Sequence, residues 1–262
     1  MAEVYAISMN KGGVGKTSLV TNLAGAITTQ MKKKKVLIID TDGQGNTSIA
    51  FGKKDPNNDF EYTVYDVLMG EKKAEDVVWK ATKDIHIIPA NKDMNFLEFD
   101  ILPNLQQYGD PFKLLSEATA DLLSHYDYVF IDTPPSMGLV AGNVLAMADK
   151  VIIPFAPETF GVNGLINVIE GVNEFKQKQN PRLEIAGVVG MMVDSRTWLH
   201  DVLLKDARQY CFENGVKMCE TVIPRATRFA NATAEDGVPA TLTKLKKNDV
   251  VQSYFELLKE MF

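Results

Sequence analysis

Cysteine is scarce in this sequence: its 262 residues include two, Cys211 and Cys219, eight positions apart and without histidine partners nearby. That spacing suits neither a disulfide framework nor a zinc site, so buried free thiols are expected. Positive charge is not in excess either, since 28 Lys and Arg face 34 Asp and Glu for a net charge of −6. A surface coated in positive charge is excluded, and any contact with nucleic acid has to be local. No stretch approaches the roughly 20 uninterrupted apolar residues of a membrane-spanning helix. The amino terminus runs into an apolar strand without a basic n-region or cleavage site, so a cytoplasmic protein is expected. Internal repeats and an interdomain linker are also missing, and a hydrophobic share of 45% excludes a disordered chain.

What is present is alternation. Short β-branched runs at 4–8, 36–39, 85–88, 128–131, 151–153, 185–193 and 222–223 are expected to be strands. Amphipathic stretches at 16–31, 111–125, 161–178 and 198–214 are expected to be helices. Strands apolar on both faces belong in a parallel sheet covered on each side. The expected fold is α/β, a mostly parallel twisted sheet with helices on both faces, in a single domain over residues 1–262. Because the chain begins at its first strand, no amino-terminal helix-turn-helix is expected. Residues 43–63, rich in Gly, Asn and Asp, read as a long surface loop after the second strand, where such folds bind ligands.

The segment Asn10-Lys11-Gly12-Gly13-Val14-Gly15-Lys16-Thr17 follows the first strand and precedes a helical pattern. Its glycines let the backbone curl so that successive N–H groups point at phosphate oxygens, and the following helix adds its positive end. Lys16 is placed to reach the β and γ phosphates, and the Thr17 hydroxyl to ligate a magnesium ion. The strict P-loop pattern asks for glycine where Asn10 stands, and an extra lysine occupies position 11. The motif predicts a P-loop NTPase, with Gly12, Gly13, Val14, Gly15, Lys16, Thr17 and Ser18 as its nucleotide-binding residues. Asp132 ends an apolar strand and suits the carboxylate that contacts such a magnesium through water. A guanine-reading Asn-Lys-x-Asp would favour GTP, but in Asn91-Lys92-Asp93-Met94 the aspartate is one position early and the segment precedes Asp132. It reads as a helix start, and ATP is the expected nucleotide.

With Lys11 in place, the sequence resembles the deviant Walker-A ATPases, the family of the ParA and Soj partition proteins, MinD and the nitrogenase iron protein. The resemblance extends over nearly the whole chain. It is carried by Lys11 to Thr17, by Ile39-Asp40-Thr41-Asp42-Gly43-Gln44-Gly45-Asn46, which is similar to the partition-protein motif DxDPQGN, and by Phe130-Ile131-Asp132-Thr133-Pro134-Pro135 and Ile223-Pro224-Arg225. The resemblance implies that Lys11 reaches across a dimer to the partner's nucleotide in a two-ATP sandwich. It implies that Asp40 supports the magnesium shell together with Asp132, and that Asp42 positions the attacking water. Lys11, Lys16 and Asp42 are thus the expected catalytic residues. It also places the adenine pocket near Pro224 and Arg225 and near residues 194–197. Gly43 stands where the motif has proline; glycine loosens a loop that proline would fix at φ near −65°, and this bears on the placement of Asp42.

Family members separate on cheap features. The iron protein needs cluster-holding cysteines, and neither Cys211 nor Cys219 lies near the motifs that would face the dimer axis. A MinD-like, membrane-associated spatial regulator needs an amphipathic tail. Residues 249–262 have apolar positions at helical spacing, but their polar side carries Lys259 as its cation against Glu256 and Glu260, so a core-packing last helix is expected. Metabolic or transport ATPases of this fold lack the DxDPQGN-like segment. The reading that remains is a DNA-segregation switch with weak intrinsic ATPase activity. It implies an ATP-bound, magnesium-dependent homodimer, non-specific double-stranded DNA, a ParB-like centromere-binding partner, nucleoid association with ATP and no stable membrane association. The expected DNA contacts are Arg225, Arg228, Lys244, Lys246 and Lys247, whereas the lysine run at 32–35 reads as an exposed turn.

Overall fold

The structure is a computed structural model and describes residues 2–244 and 249–262. Strands β1 (Glu3–Ile7), β2 (Val36–Asp40), β3 (Trp79–Lys80), β4 (Ile85–Ile88), β5 (Tyr128–Asp132), β6 (Lys150–Phe155) and β7 (Glu184–Gly190) form one sheet. Their order is β3-β4-β2-β5-β1-β6-β7. Every pairing is parallel except that of β3 on β4 at the edge. Alternate residues of each central strand feed two separate cores. Val4, Ala6, Leu37, Ile39, Val129 and Ile131 enter one, while Tyr5, Ile7, Val36, Ile38 and Phe130 enter the other. That two-sided burial is why these strands read as continuous apolar runs.

The first core is covered by helices α2 (Leu114–Leu123), α3 (Leu139–Met147), α4 (Gly161–Lys178) and α5 (Trp198–Glu213). The second is covered by α1 (Lys16–Gln30) and α6 (Gln252–Met261). Helix α6 buries Tyr254, Phe255, Leu257 and Leu258, and the Phe262 ring beyond it lies 5.0 Å from Tyr5. The last helix is a core element, as its charge pattern suggests. Among the described residues no helix is long and apolar enough to cross a membrane. Both cysteines are buried free thiols.

Three local expectations are corrected. Residues 222–223 do not form a strand; Pro224 joins an isolated bridge with Val193, in which the Val193 N–H donates to Ile223 O at 3.0 Å and the Arg225 N–H to Val193 O at 2.9 Å, and the left-handed Met192 beside it keeps the pairing from extending. The apolar run at 185–193 leaves the sheet at Gly190, because Met192 takes a left-handed φ of 53° that extended backbone cannot continue. The 43–63 region is not all loop, since Asn46–Ala50 forms a short helix. The lysine run at 32–35 is a turn, with Lys33 at φ 66°.

The register places the chemistry. Ile7 pairs with Asp132 and Asp132 with Asp40, so β1, β5 and β2 end side by side. Strand β1 sits between β5 and β6, and its exit loop runs out over their carboxyl ends. Ligands of open α/β sheets collect there.

Candidate active site

Asn10 to Gly15 wrap the start of α1. Gly13 and Gly15 adopt φ of 74° and 87°, a region open to glycine at no steric cost. Gly15 is the residue from which α1 departs, and Val14 anchors the loop in the core. Lys16 is 7% exposed. Its ammonium donates to the carbonyl oxygens of Met9 at 3.3 Å and Lys11 at 3.2 Å. Burial lowers its pKa, and the nearby Asp132 and Asp42 charges oppose that shift.

Two carboxyl groups form the floor. Asp132 accepts the Thr17 hydroxyl at 2.6 Å and the Thr47 hydroxyl at 3.3 Å, both on Oδ2. Its Oδ1 is buried and has no hydrogen-bond partner among the described residues. Asp40 is fully buried and accepts the backbone N–H groups of Asp42 at 3.0 Å and Thr47 at 3.1 Å. Burial pushes Asp132 up to about 6. Burial, and then the neighbouring Asp132 charge, push Asp40 well above the carboxylate range. A divalent cation fits this floor: it would supply the charge that two adjacent buried acids lack and a partner for the orphaned Oδ1. Among the described residues no group of three or more His, Cys, Asp or Glu side chains could hold a metal. A magnesium ion here would therefore depend on the Thr17 hydroxyl, phosphate oxygens and water.

Above the floor lies a cavity of about 580 Å³ lined by Gly12, Lys16, Thr17, Asp42, Asn95 and Pro134, among others. Asp42 also accepts the Gln44 N–H at 3.0 Å, which turns its loop. Gly43 has no left-handed φ, and its missing Cβ leaves room for the Asn95 carboxamide. Asp42 still faces the cavity. A second, more apolar cavity of about 350 Å³ shares Gly15, Thr17 and Ser18 with the first and continues to Met191, Met192, Pro224, Arg225 and Phe229. The two form one cleft with a polar and an apolar end.

A family model for an AAA domain matches residues 2–185. The sporulation initiation inhibitor protein Soj of Bacillus subtilis is 31% identical, covering 100% of this chain and 98% of that one. The chromosome partitioning protein ParA of Caulobacter vibrioides is 35% identical, covering 98% of this chain and 93% of that one. The chain belongs to the ParA family of P-loop ATPases. A solved structure of cobyrinic acid a,c-diamide synthase from Mycobacterium smegmatis, with bound ATP analogue and magnesium, matches with a TM-score of 0.83 at 26% identity. It covers 99% of this chain and 93% of that one.

Measured against the ParA-type residues expected from sequence, the structure brings Gly12, Gly13, Gly15, Lys16, Thr17, Ser18 and Asp42 to one cavity wall, with Asp40 and Asp132 beneath. Lys11 is not among the residues lining that cavity; its ammonium pairs with Glu158 of the same chain, in the loop after β6. Pro224 and Arg225 line the apolar end. Residues 194–197 do not; Asp194 there accepts from the Arg196 guanidinium at 2.9 and 2.8 Å. Met191 and Met192 take that place instead, and with Phe229 they carry no motif that sequence could flag. Arg228 is engaged by Asp249 at 3.3 Å and by the Thr243 hydroxyl at 2.5 Å. Lys244 is exposed, while Lys246 and Lys247 lie outside the described residues.

Proposed function

We propose that this ParA-family protein is an ATP-hydrolysing switch for DNA segregation, acting as a single domain that closes into a homodimer around two ATP molecules. The observation that carries the reading is the continuous cleft, with Lys16, Thr17 and Asp42 at its polar end and Pro224 at its apolar end. Adenine and ribose occupy the Met192, Pro224 and Arg225 end, which leaves the phosphates on the Gly12–Thr17 backbone. Lys16 neutralises the β and γ phosphates, and Thr17 and Asp132 hold the magnesium shell with Asp40 behind them. A magnesium ion held there would supply positive charge against the phosphates. Asp42 orients the attacking water. Lys11 of each protomer leaves Glu158 and reaches the other protomer's phosphates, a cation supplied in trans of the kind worth roughly 10³ to 10⁵ in rate.

No substrate pocket other than this cleft is needed for a switch whose output is assembly. The ATP-bound dimer joins two weak basic patches, from Arg225, Lys244, Lys246 and Lys247, on duplex DNA of any sequence. A ParB-like centromere-binding partner stimulates hydrolysis and releases it. The packing of α6 into the core supports this reading over a membrane-associated one. Sedimentation with unrelated duplexes in ATP, ADP and no nucleotide tests it. Binding is expected with ATP alone, independent of base sequence and steeply weakened by salt. Nucleotide-independent binding, or ATP-dependent binding to anionic vesicles without DNA binding, would overturn it.

A further inference from the structure

The Asn91-Lys92-Asp93 stretch starts a helix, yet the segment it opens reaches the phosphate end of the cleft. Asn91 Oδ1 accepts the Asp93 N–H at 3.1 Å and caps a short turn over Lys92–Asn95. Met94 and Leu97 are buried and pin the segment to the core, while Asn95 between them is exposed and lines the cavity with Lys16 and Asp42.

Two glycines admit this segment, Gly43 in the loop after β2 and Gly138 at the start of α3. A Cβ on Gly43 would lie 2.7 Å from Asn95 Oδ1 and 3.0 Å from its Cγ and Nδ2, so the flat carboxamide lies over the bare Cα. One helical turn further on, Glu98 accepts the Leu139 N–H at 2.5 Å at the start of α3, and a Cβ on Gly138 would lie 2.0 Å from its Oε1. The segment is thereby fixed between the loop after β2 and the helix after β5. The Asn95 carboxamide has no hydrogen-bond partner within the chain among the described residues, although it is held on the cavity wall.

We propose that Asn95 is a γ-phosphate ligand that tells a nucleoside triphosphate from a diphosphate, its Nδ2 donating to the terminal phosphate, and that Gly43 is small so that the carboxamide can sit there. The proposal rests on the reading of the cleft as an ATP site. A proline or any other side chain at position 43 would displace the amide. The Lys16 end of the cradle binds both nucleotides, whereas Asn95 stands beside Asp42, where only a triphosphate extends.

The test is equilibrium titration of the full chain with fluorescent ATP and ADP analogues in magnesium. Wild type is compared with Asn95→Ala, Asn95→Asp, Gly43→Ala and the Gly43→Ala/Asn95→Ala double variant, folding being checked by thermal melting. Asn95→Ala is expected to weaken ATP about tenfold, the worth of one hydrogen bond to a charged group, with ADP affinity unchanged. Asn95→Asp, which sets a carboxylate against phosphate, is expected to lose more ATP affinity and again spare ADP. Gly43→Ala is expected to reproduce the ATP-selective loss, and the double variant to be no worse than Asn95→Ala, because both substitutions remove one contact. Equal losses for ATP and ADP, or unchanged ATP affinity in the folded Asn95 variants, overturn the proposal while leaving the ATP site standing. A folded wild type that binds neither nucleotide overturns the ATP-site reading itself, and the Asn95 role with it.

Discussion

Lys16 illustrates how burial prepares a residue for one partner. Its ammonium is nearly enclosed, and its two carbonyl contacts exceed 3.1 Å, so an anion in the cleft is a better partner than the protein supplies. Mg-ATP is therefore expected to raise the melting temperature of the wild type, by several degrees at saturating ligand, and to leave that of Lys16→Gln unchanged. Fluorescent ATP binding with wild-type affinity in Lys16→Gln would remove the cradle from Lys16. The same burial silences the thiols. It pushes Cys211 up to about 11 and Cys219 up to about 12, and the thiolate is the reactive form. Ellman's reagent at pH 8 is expected to find no reactive thiol in the native protein and two after denaturation. Since the folded thiols hold protons that the unfolded chain releases, their contribution to stability is complete below the ordinary thiol value of 9.0 and is lost as pH rises toward 11 and beyond.

At the scale of the element, α6 decides between two uses of one amphipathic pattern. An interfacial helix keeps its apolar face free for lipid, whereas this face is packed with α1 beneath the sheet. Phe255 is 1% exposed, and Phe255→Ala is expected to destabilise the fold by about 3–5 kcal/mol through the cavity it leaves. Urea unfolding measures this, and a loss below about 1 kcal/mol would show a peripheral helix. Asn180 does comparable work at the end of α3: its amide donates to the carbonyls of Leu145 at 2.9 Å and Ala148 at 2.8 Å, groups the helix cannot satisfy by itself.

For the whole molecule, the position of Lys11 sets what the proposed dimerisation has to accomplish. The Lys11–Glu158 pair is half-exposed on both sides, and such pairs contribute about 0–1 kcal/mol, so releasing it would cost little against the triphosphate of the proposed partner protomer. Lys11→Ala is expected to bind ATP nearly as the wild type does, to fail to dimerise and to release no phosphate above background. Sedimentation velocity and a phosphate-release assay check the two losses separately. Wild-type turnover in Lys11→Ala would place the catalytic cation elsewhere.

The glycine loop was legible because its geometry is local: Gly12 to Thr17 are contiguous, and a strand, a glycine turn and a helix start specify their own backbone. The central strands were legible because burial on both faces leaves an uninterrupted apolar run, and the helix at 161–178 because its apolar stripe is complete. Contacts between distant segments leave no such mark. The side-by-side placement of Asp40 and Asp132 depends on the register of β2 against β5. The apolar end of the cleft depends on Met192 turning left-handed out of β7 to meet Pro224, which moved the pocket wall away from residues 194–197. Gly43 reads as a loosened turn in sequence. Only the fold reveals that Asn95 fills the space it leaves, because one glycine's missing Cβ acquires meaning from whatever the tertiary structure packs against it.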